Sequence, residues 1–394
     1  EAAAVHAIGI LDQNDLQFLW LPLSHVFGKI LLALPLQMGF PTAIDGKIDK
    51  IVDNLAVIKP TFMGAAPRIF EKAYARIAAT VAAETGVKRQ LMDWALDVGK
   101  QVMELRAQGQ APGALLGIQH AVADKLVLSK IRERFGGRVR FFISGSAALN
   151  PEIARWFGSV GLIILEGYGL TETSAATCVN RPSLGGYNYG TVGWAIPTTD
   201  VKLAADGEIL VKGPGVMRGY RNRPDATAEV FDEDGYFRTG DIGEIDANGF
   251  VKITDRKKDL FKTSGGKYIA PSLIEAAFKA QCPYASQILV FGDGRNYATA
   301  LITLDPDAIT AWGAANRMAG KSYAEISQTP EVRELLQGYI DTLNQGLNRW
   351  ETIKRFTVLD RDLTIDEGEL TPSLKLKRKH VAEKFKANLE ALYD

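Results

Sequence analysis

The sequence predicts an α/β protein: a large domain of alternating helices and strands carrying a small β-rich subdomain, followed by a smaller α+β C-terminal domain. Three observations predict it. Apolar, β-branched runs alternate with helical patterns as far as residue 184, the pattern of a mostly parallel sheet. Over 185–257 the texture changes to short strands punctuated by Gly, Pro and Asp. The charge run "TDRKKDLFK" breaks that texture, and helix–strand alternation resumes over 258–394. A chain of 394 residues, 46% hydrophobic and 23% charged, has material for two or three ordinary globular domains.

The elements follow in order. "EAAAVHAIGI" reads as the tail of a helix, and "LQFLWLPLS" as a buried strand. "IVDNLAVIKPTFMGAAPRIFEKAYARIAATVAAE" reads as helix, strand and helix, with Pro60 and Pro67 as punctuation. Residues 68–135 are strongly helical apart from a break at "QGQAPGALLG". "RVRFFISGSAAL" is a strand and turn, and "IARWFGSVGLIILEGYG" a helix and strand. In the β-rich part, "DANGF" is a hairpin turn. Beyond it, "SLIEAAFKA" is a helix, "SQILVFG" and "YATALITLD" are strands, and "EVRELLQGYIDTLNQGLN" is an amphipathic helix. The C-terminus, "SLKLKRKHVAEKFKANLEALYD", is basic and helical.

Composition removes several function classes. Lys+Arg and Asp+Glu both number 46, so no charge excess points to nucleic acid. Cys178 and Cys282 are far apart, and His6, His25, His120 and His380 form no metal-ligand spacing. Two isolated cysteines fit a reducing compartment, so a cytoplasmic location is expected. "FLWLPLSHVFGKILLALPLQMGF" comes nearest to a membrane span but is interrupted by Pro22, His25, Lys29 and Pro35. The chain opens mid-pattern and without Met, which suggests a fragment.

The stretch "EGYGLTETSAA" (166–176) poses the functional question, because a buried strand ends in hydroxyls and one carboxylate. One reading is a turn and a helix cap, with Gly169 supplying the turn, Thr171 capping and Glu172 in the first helical turn. The other is a nucleotide site, in which hydroxyls and backbone N–H groups meet phosphate, a carboxylate meets Mg²⁺ and an aromatic face meets a base. Four further motifs share the chain: "SGSAAL" (144–149), whose small side chains let a flat ring approach the backbone, then "YFRTGD" (236–241), "DRKKDLFKTSGGKYIAP" (255–271) and "TPSLKLKR" (371–378). "SGGK" is no P-loop, since Phe261 and Tyr268 stand where Gly and Ser/Thr are needed.

In this order and spacing the motifs resemble the adenylate-forming superfamily, and within it the long-chain fatty acyl-CoA synthetases, over essentially the whole chain. The resemblance implies that residues 1–184 are the remainder of a large adenylation domain, 185–257 its β-rich subdomain and 258–394 a small mobile lid. By the same resemblance Gly145, Ser146, Ala147, Glu166, Gly167, Tyr168 and Gly169 line the adenine pocket, with Tyr168 stacked on the base. Thr171 holds a phosphate oxygen and Glu172 ligates Mg²⁺. Asp241 accepts from the ribose hydroxyls and Arg256 also contacts the ribose. Lys258 is the hinge, and Lys375 stabilises charge during adenylation. Ser264, Gly265, Gly266 and Lys267 line the pantetheine tunnel, and His25 sits near the acyl carboxylate.

The implied reaction uses ATP, Mg²⁺ and coenzyme A to turn a long-chain fatty acid into its thioester through acyl-AMP. The long helical stretch 68–135 favours a long acyl chain by resemblance. A lipid substrate is compatible with peripheral membrane contact, although no sequence element demands it. Two alternatives stand beside this reading: a fatty acyl-AMP ligase that feeds a carrier protein, and a non-catalytic fragment that only binds nucleotide or a partner. Taken residue by residue, Lys375 also reads as part of a solvated basic helix start, Asp241 as a turn residue and His25 as a core histidine. The family's Ser/Thr/Gly-rich phosphate loop is missing from this sequence, which leads to the expectation that the 394-residue chain does not adenylate alone.

Overall fold

The computed structural model describes the backbone of residues 1–394 and all side chains but those of Asp49, Ala79, Ala82 and Ala83. It divides into two compact units, Glu1–Ile253 and Thr254–Asp394.

The first unit is built on a seven-stranded sheet. Its strands are β1 (Gln17–Leu19), β2 (Thr42–Ile44), β3 (Phe62–Ala65), β4 (Phe141–Ser144), β5 (Ile163–Tyr168), β6 (Cys178–Val179) and β7 (Trp194–Ala195). They lie in the order β2-β1-β3-β4-β5-β6-β7, and the first five are mutually parallel. The last two join antiparallel. Strands such as "FMGA" and "FFIS" lack alternation because a parallel sheet is covered on both faces.

The connecting helices start where the sequence punctuates. Pro67 and Pro151 open the helices Pro67–Ala83 and Pro151–Ser159, the position where a missing N–H costs nothing. Asn150 caps the second by accepting from the Glu152 N–H at 2.7 Å. That helix packs on Gly86–Ala107 through Gly99, where an added Cβ would lie 1.9 Å from the Ser159 carbonyl oxygen. Between helices and sheet, Phe70, Phe135, Phe142 and Phe157 meet edge to face at centroid distances of 5.4 to 6.1 Å.

The expected β-rich segment forms a second sheet of β8 (Asp200–Leu203), β9 (Glu208–Lys212), β10 (Phe237–Ile245) and β11 (Val251–Arg256), ordered β11-β10-β9-β8. Ile209, Val211 and Val251 pack with Cys178 of the first sheet. The "DANGF" turn closes through Asp246, whose Oδ1 accepts from the Phe250 N–H at 2.9 Å, and Gly249 takes a φ of 83°.

The second unit opens with a hairpin, β12 (Phe261–Lys262) and β13 (Tyr268–Ile269). Its main sheet is β14 (Ala285–Phe291), β15 (Ala298–Leu304) and β16 (Ile353–Val358), with β14 antiparallel and β16 parallel to β15. Alternate residues face different cores. Ile288 and Val290 pack with Ile274, Phe278 and Leu336 of the helices Pro271–Gln281 and Pro330–Gln345. Leu289 and Leu301 pack with Leu370, Val381 and Leu389 near the C-terminus. The basic C-terminal stretch becomes helical only at Arg378, in the helices Arg378–Lys384 and Lys386–Glu390, and "TPSLK" before it is a hairpin. No helix is long and apolar enough to cross a membrane among the described residues.

Phe157 is fully buried at the centre of the aromatic cluster. Phe157→Ala is expected to cost about 3–5 kcal/mol, measured as a lower urea midpoint with an unchanged denaturant slope.

Candidate nucleotide site

The carboxyl ends of β4 and β5 lie side by side, with Ser144 registered on Glu166. Gly145–Ala147, which follows β4, and Gly167–Gly169, which ends β5, therefore lie at the same edge, where open α/β sheets bind ligands. After β4 the backbone turns through Ser146, which takes a φ of 74°, and Ala147 is exposed. Glu166 is buried at this edge, and its carboxylate accepts from the N–H groups of Leu149 (3.3 Å) and Gly190 (3.2 Å), so it ties two loops together. Burial pushes its carboxyl up to about 7 against the opposing pull of those two amides.

Past Tyr168 the chain doubles back tightly. An added Cβ on Gly169 would lie 1.3 Å from the Ala175 carbonyl oxygen, so only glycine fits. The Thr177 N–H then donates to the Tyr168 carbonyl at 2.7 Å, and Ser174 takes a φ of 62°. Within this loop Thr171–Thr173 is a single 3₁₀ turn, shorter than a helix start. Thr171 is exposed and Glu172 half-buried. The Tyr220 hydroxyl donates to Glu172 Oε1 at 3.0 Å, and the Met217 N–H donates to the Glu172 carbonyl at 2.7 Å.

Asp241 reaches the same edge from the second sheet. Arg238 pairs with Leu210 and Ile242 with Glu208, so three residues of β10 oppose one of β9. This bulge is held by the Gly240 N–H, which donates to Glu208 Oε1 at 2.9 Å, and by the Asp241 N–H, which donates to Thr239 Oγ1 at 3.1 Å. Bulges re-aim side chains, and here Asp241 meets Tyr168, whose hydroxyl donates to Asp241 Oδ2 at 2.7 Å. Burial, with the Asp241 charge added, pushes the Tyr168 phenol well up, so it stays a donor.

His25 caps the helix Val26–Met38 by accepting from the Phe27 N–H at Nδ1, 3.2 Å away. Accepting at Nδ1 leaves the ring proton on Nε2 when the imidazole is neutral. The next residue but one, Phe27, lies over the strand ends. A Cβ on Gly145 would stand 3.2 Å from its ring, and one on Gly64 3.1 Å. The "PLSH" segment thus adjoins the glycine-rich edge.

The other candidates belong to the second unit. Arg256 ends β11 and is exposed, and its N–H donates to Oδ1 of the buried Asp255 at 2.6 Å. Lys258 lies in the exposed turn that follows. Ser264–Lys267 form the exposed tip of the β12–β13 hairpin, where Ser264 Oγ donates to Asn296 Oδ1 at 2.6 Å and Lys267 Nζ lies 5.0 Å from the Trp350 ring centroid. Lys375 closes a tight loop. Its carbonyl accepts from the Thr371 N–H at 2.8 Å, and its N–H donates to Thr371 Oγ1 at 3.0 Å. Among the described residues no group of three or more His, Cys, Asp or Glu could hold a metal ion. One carboxylate beside hydroxyls is nonetheless a fitting set for Mg²⁺, which takes few protein ligands and completes its shell with phosphate and water oxygens.

The structure thus gathers His25, Gly145–Ala147, Gly167–Glu172 and Asp241 in one unit, and Arg256, Lys258, Ser264–Lys267 and Lys375 in the other. Tyr220, Thr239 and Phe27 were not legible as site residues. Tyr220 and Phe27 contact positions 48 and 118 residues away in sequence, and no local pattern marks either.

The model of the AMP-binding enzyme family matches residues 2–221, and that of the AMP-binding enzyme C-terminal domain matches 258–394. The chain belongs to the AMP-binding enzymes. Within this superfamily it is similar to the long-chain-fatty-acid–CoA ligase FadD15 of Mycobacterium bovis, at 37% identity over 98% of this chain and 63% of that one. It is also similar to human long-chain-fatty-acid–CoA ligase 1, at 32% identity over 96% and 55%. The adenylation domain of a Mycobacterium chelonae carboxylate reductase shares the fold with a TM-score of 0.72 and 25% identity, over 99% of this chain and 57% of that one. The chain therefore spans a little over half the length of these relatives.

Two outcomes follow from this geometry. Tyr168→Phe withdraws a donor from a buried carboxylate, so AMP affinity should fall by about 1–2 kcal/mol in calorimetric titration and the melting temperature should fall as well. For Glu166, the folded state favours the protonated carboxyl. Its stabilisation is complete below the ordinary value of 4.5 and is lost as pH rises to about 7. Urea unfolding should show wild type losing stability relative to Glu166→Gln across that window.

Proposed function

We propose that this chain carries the adenylation chemistry of a long-chain fatty acyl-CoA ligase. The observation that carries the reading is the Tyr168–Asp241 hydrogen bond, which brings an aromatic face and a buried carboxylate to the edge where two glycine-rich strand ends leave the sheet. The names and coverage of the relatives support the substrate class and the thiol acceptor.

In this reading adenine lies against Gly145–Ala147 and the Tyr168 ring, and the ribose hydroxyls donate to Asp241. Thr171 donates to a phosphate oxygen. Glu172, held by Tyr220, would bind Mg²⁺, which neutralises charge on the departing pyrophosphate when bound. The fatty carboxylate attacks the α-phosphorus, the bond to pyrophosphate breaks, and acyl-AMP forms. Negative charge grows on the α-phosphoryl oxygens during this step, and the Lys375 ammonium is the group that meets it. Aimed donors of this kind act in the transition state more than in the ground state. The Ser264–Lys267 hairpin then guides the thiol of coenzyme A to the acyl carbon. The thiolate adds, AMP leaves with the bonding pair, and the thioester remains. The exposed turn at Lys258 is where the second unit turns between the two steps.

The full gene product supplied with ATP, Mg²⁺, hexadecanoate and coenzyme A should form hexadecanoyl-CoA, followed by mass spectrometry. Lys375→Ala should lower acyl-AMP formation by about 10²–10³-fold and leave ATP binding nearly intact. Acyl-AMP that accumulates without thioester would point instead to an acyl-AMP ligase.

A further inference from the structure

Lys375 is a long, flexible side chain on a loop, and a transition-state donor works only when it is aimed. The loop's own hydrogen bonds, from Thr371 to Lys375 and back, shape it but do not attach it to the sheet. On one side the attachment is an ion network. The fully buried Glu369 accepts from Arg361 at 2.5 and 2.9 Å, from Lys384 at 2.9 Å and from the Thr364 N–H at 3.0 Å, and its carbonyl accepts from the Lys377 N–H.

On the other side stands Arg378, three residues after Lys375 and the first residue of its helix. β14 is an edge strand, and Val290 turns its N–H and C=O outward from the sheet. Glu275 Oε1 accepts from that N–H at 2.7 Å, and Arg378 Nη1 donates to that carbonyl at 3.3 Å. The two side chains then close on each other, with Nη2 donating to Glu275 Oε2 at 2.6 Å. The pair occupies the edge as a neighbouring strand would, one acceptor and one donor matched to one residue of backbone. The planar guanidinium serves the carbonyl through one terminal nitrogen and the carboxylate through the other, a fixed fork that the rotatable ammonium of lysine does not reproduce. The location of Arg378 is therefore set by the sheet itself, not by a flexible surface contact.

We infer that Arg378 is a positioning residue for Lys375: the Arg378–Glu275 pair on Val290 fixes the base of the Lys375 loop and so aims the ammonium during adenylation. This rests on the role given to Lys375 above. It requires that loss of the pair harm adenylation selectively and only through Lys375.

The test compares Arg378→Met, Arg378→Lys, Lys375→Ala and the Arg378→Met/Lys375→Ala double variant in the full gene product. Two readouts are taken: hexadecanoate-dependent ATP–pyrophosphate exchange, and thioester formation from supplied hexadecanoyl-adenylate and coenzyme A. Arg378→Met should lower the exchange kcat by about 10–100-fold, leave the KM for ATP unchanged and spare the thioester step. Arg378→Lys should recover part of the loss. In the Lys375→Ala background, Arg378→Met should add no further loss. If Arg378→Met does not fold, Glu275→Gln, which keeps an acceptor for Val290 but removes the charge, is measured the same way. Equal losses in both half-reactions, or losses that multiply with Lys375→Ala, would overturn the proposal. Wild-type exchange in Lys375→Ala would instead overturn the reading of Lys375 on which it rests.

Discussion

A side chain at residue 169 has nowhere to go. The chain leaves β5 and folds back so closely that a Cβ there would occupy the Ala175 carbonyl. Much of the site follows from that one close approach. It ends the strand at Tyr168, turns Thr171 and Glu172 out at the sheet edge, and returns the chain at Cys178 as β6, antiparallel to β5. Because β6 packs with Ile209, Val211 and Val251, the same turn anchors the second sheet to the first. The bulge of β10 then has a fixed partner, and Asp241 meets the Tyr168 hydroxyl.

Two buried acids at this edge show how environment divides labour between like groups. Glu166 and Asp241 are both almost fully enclosed. Glu166 spends its oxygens on backbone amides and holds loops, whereas Asp241 is displayed by a bulge and steadied by a phenol. The phenol is a single donor, so it occupies one lone pair of the carboxylate and leaves other acceptor positions for a ligand's hydroxyls. In the second unit a comparable economy holds the Lys375 loop. Ion pairs on either flank are tied to backbone rather than only to one another, which limits how far a basic segment can wander.

Much of the fold was legible because its signals are local. Pro67 and Pro151 mark helix starts, and uninterrupted apolar runs mark strands covered on both faces, whereas the change of texture after residue 184 precedes the change of sheet, since Trp194–Ala195 still joins the first sheet and the second begins at Asp200. The strand-to-turn glycines at 145 and 169 were legible for the same reason. What was not legible depends on distant partners. The partners of the Glu166 carboxylate, the amides of Leu149 and Gly190, lie 17 and 24 residues away. Tyr220 lies 48 residues from the Glu172 it holds. "SLKLKRKH" reads as one basic helix, yet Leu374 takes a φ of 63° and the helix waits until Arg378, because Thr371 captures the backbone of Lys375 first. Arg378 is one of four basic residues in that run, and only the edge of β14 distinguishes it.

The central claim is that the edge formed by the ends of β4 and β5 and the bulge of β10 is one nucleotide site. Hydrogen–deuterium exchange on the full gene product, with and without a non-hydrolysable hexadecanoyl-adenylate analogue, tests it most directly, because backbone amides report each segment separately. Slowed exchange at 145–149, 168–176 and 239–241 together, with β14 and β15 unchanged, is the expected result. Saturating analogue that leaves those three segments exchanging as before, or protects only one of them, would contradict it.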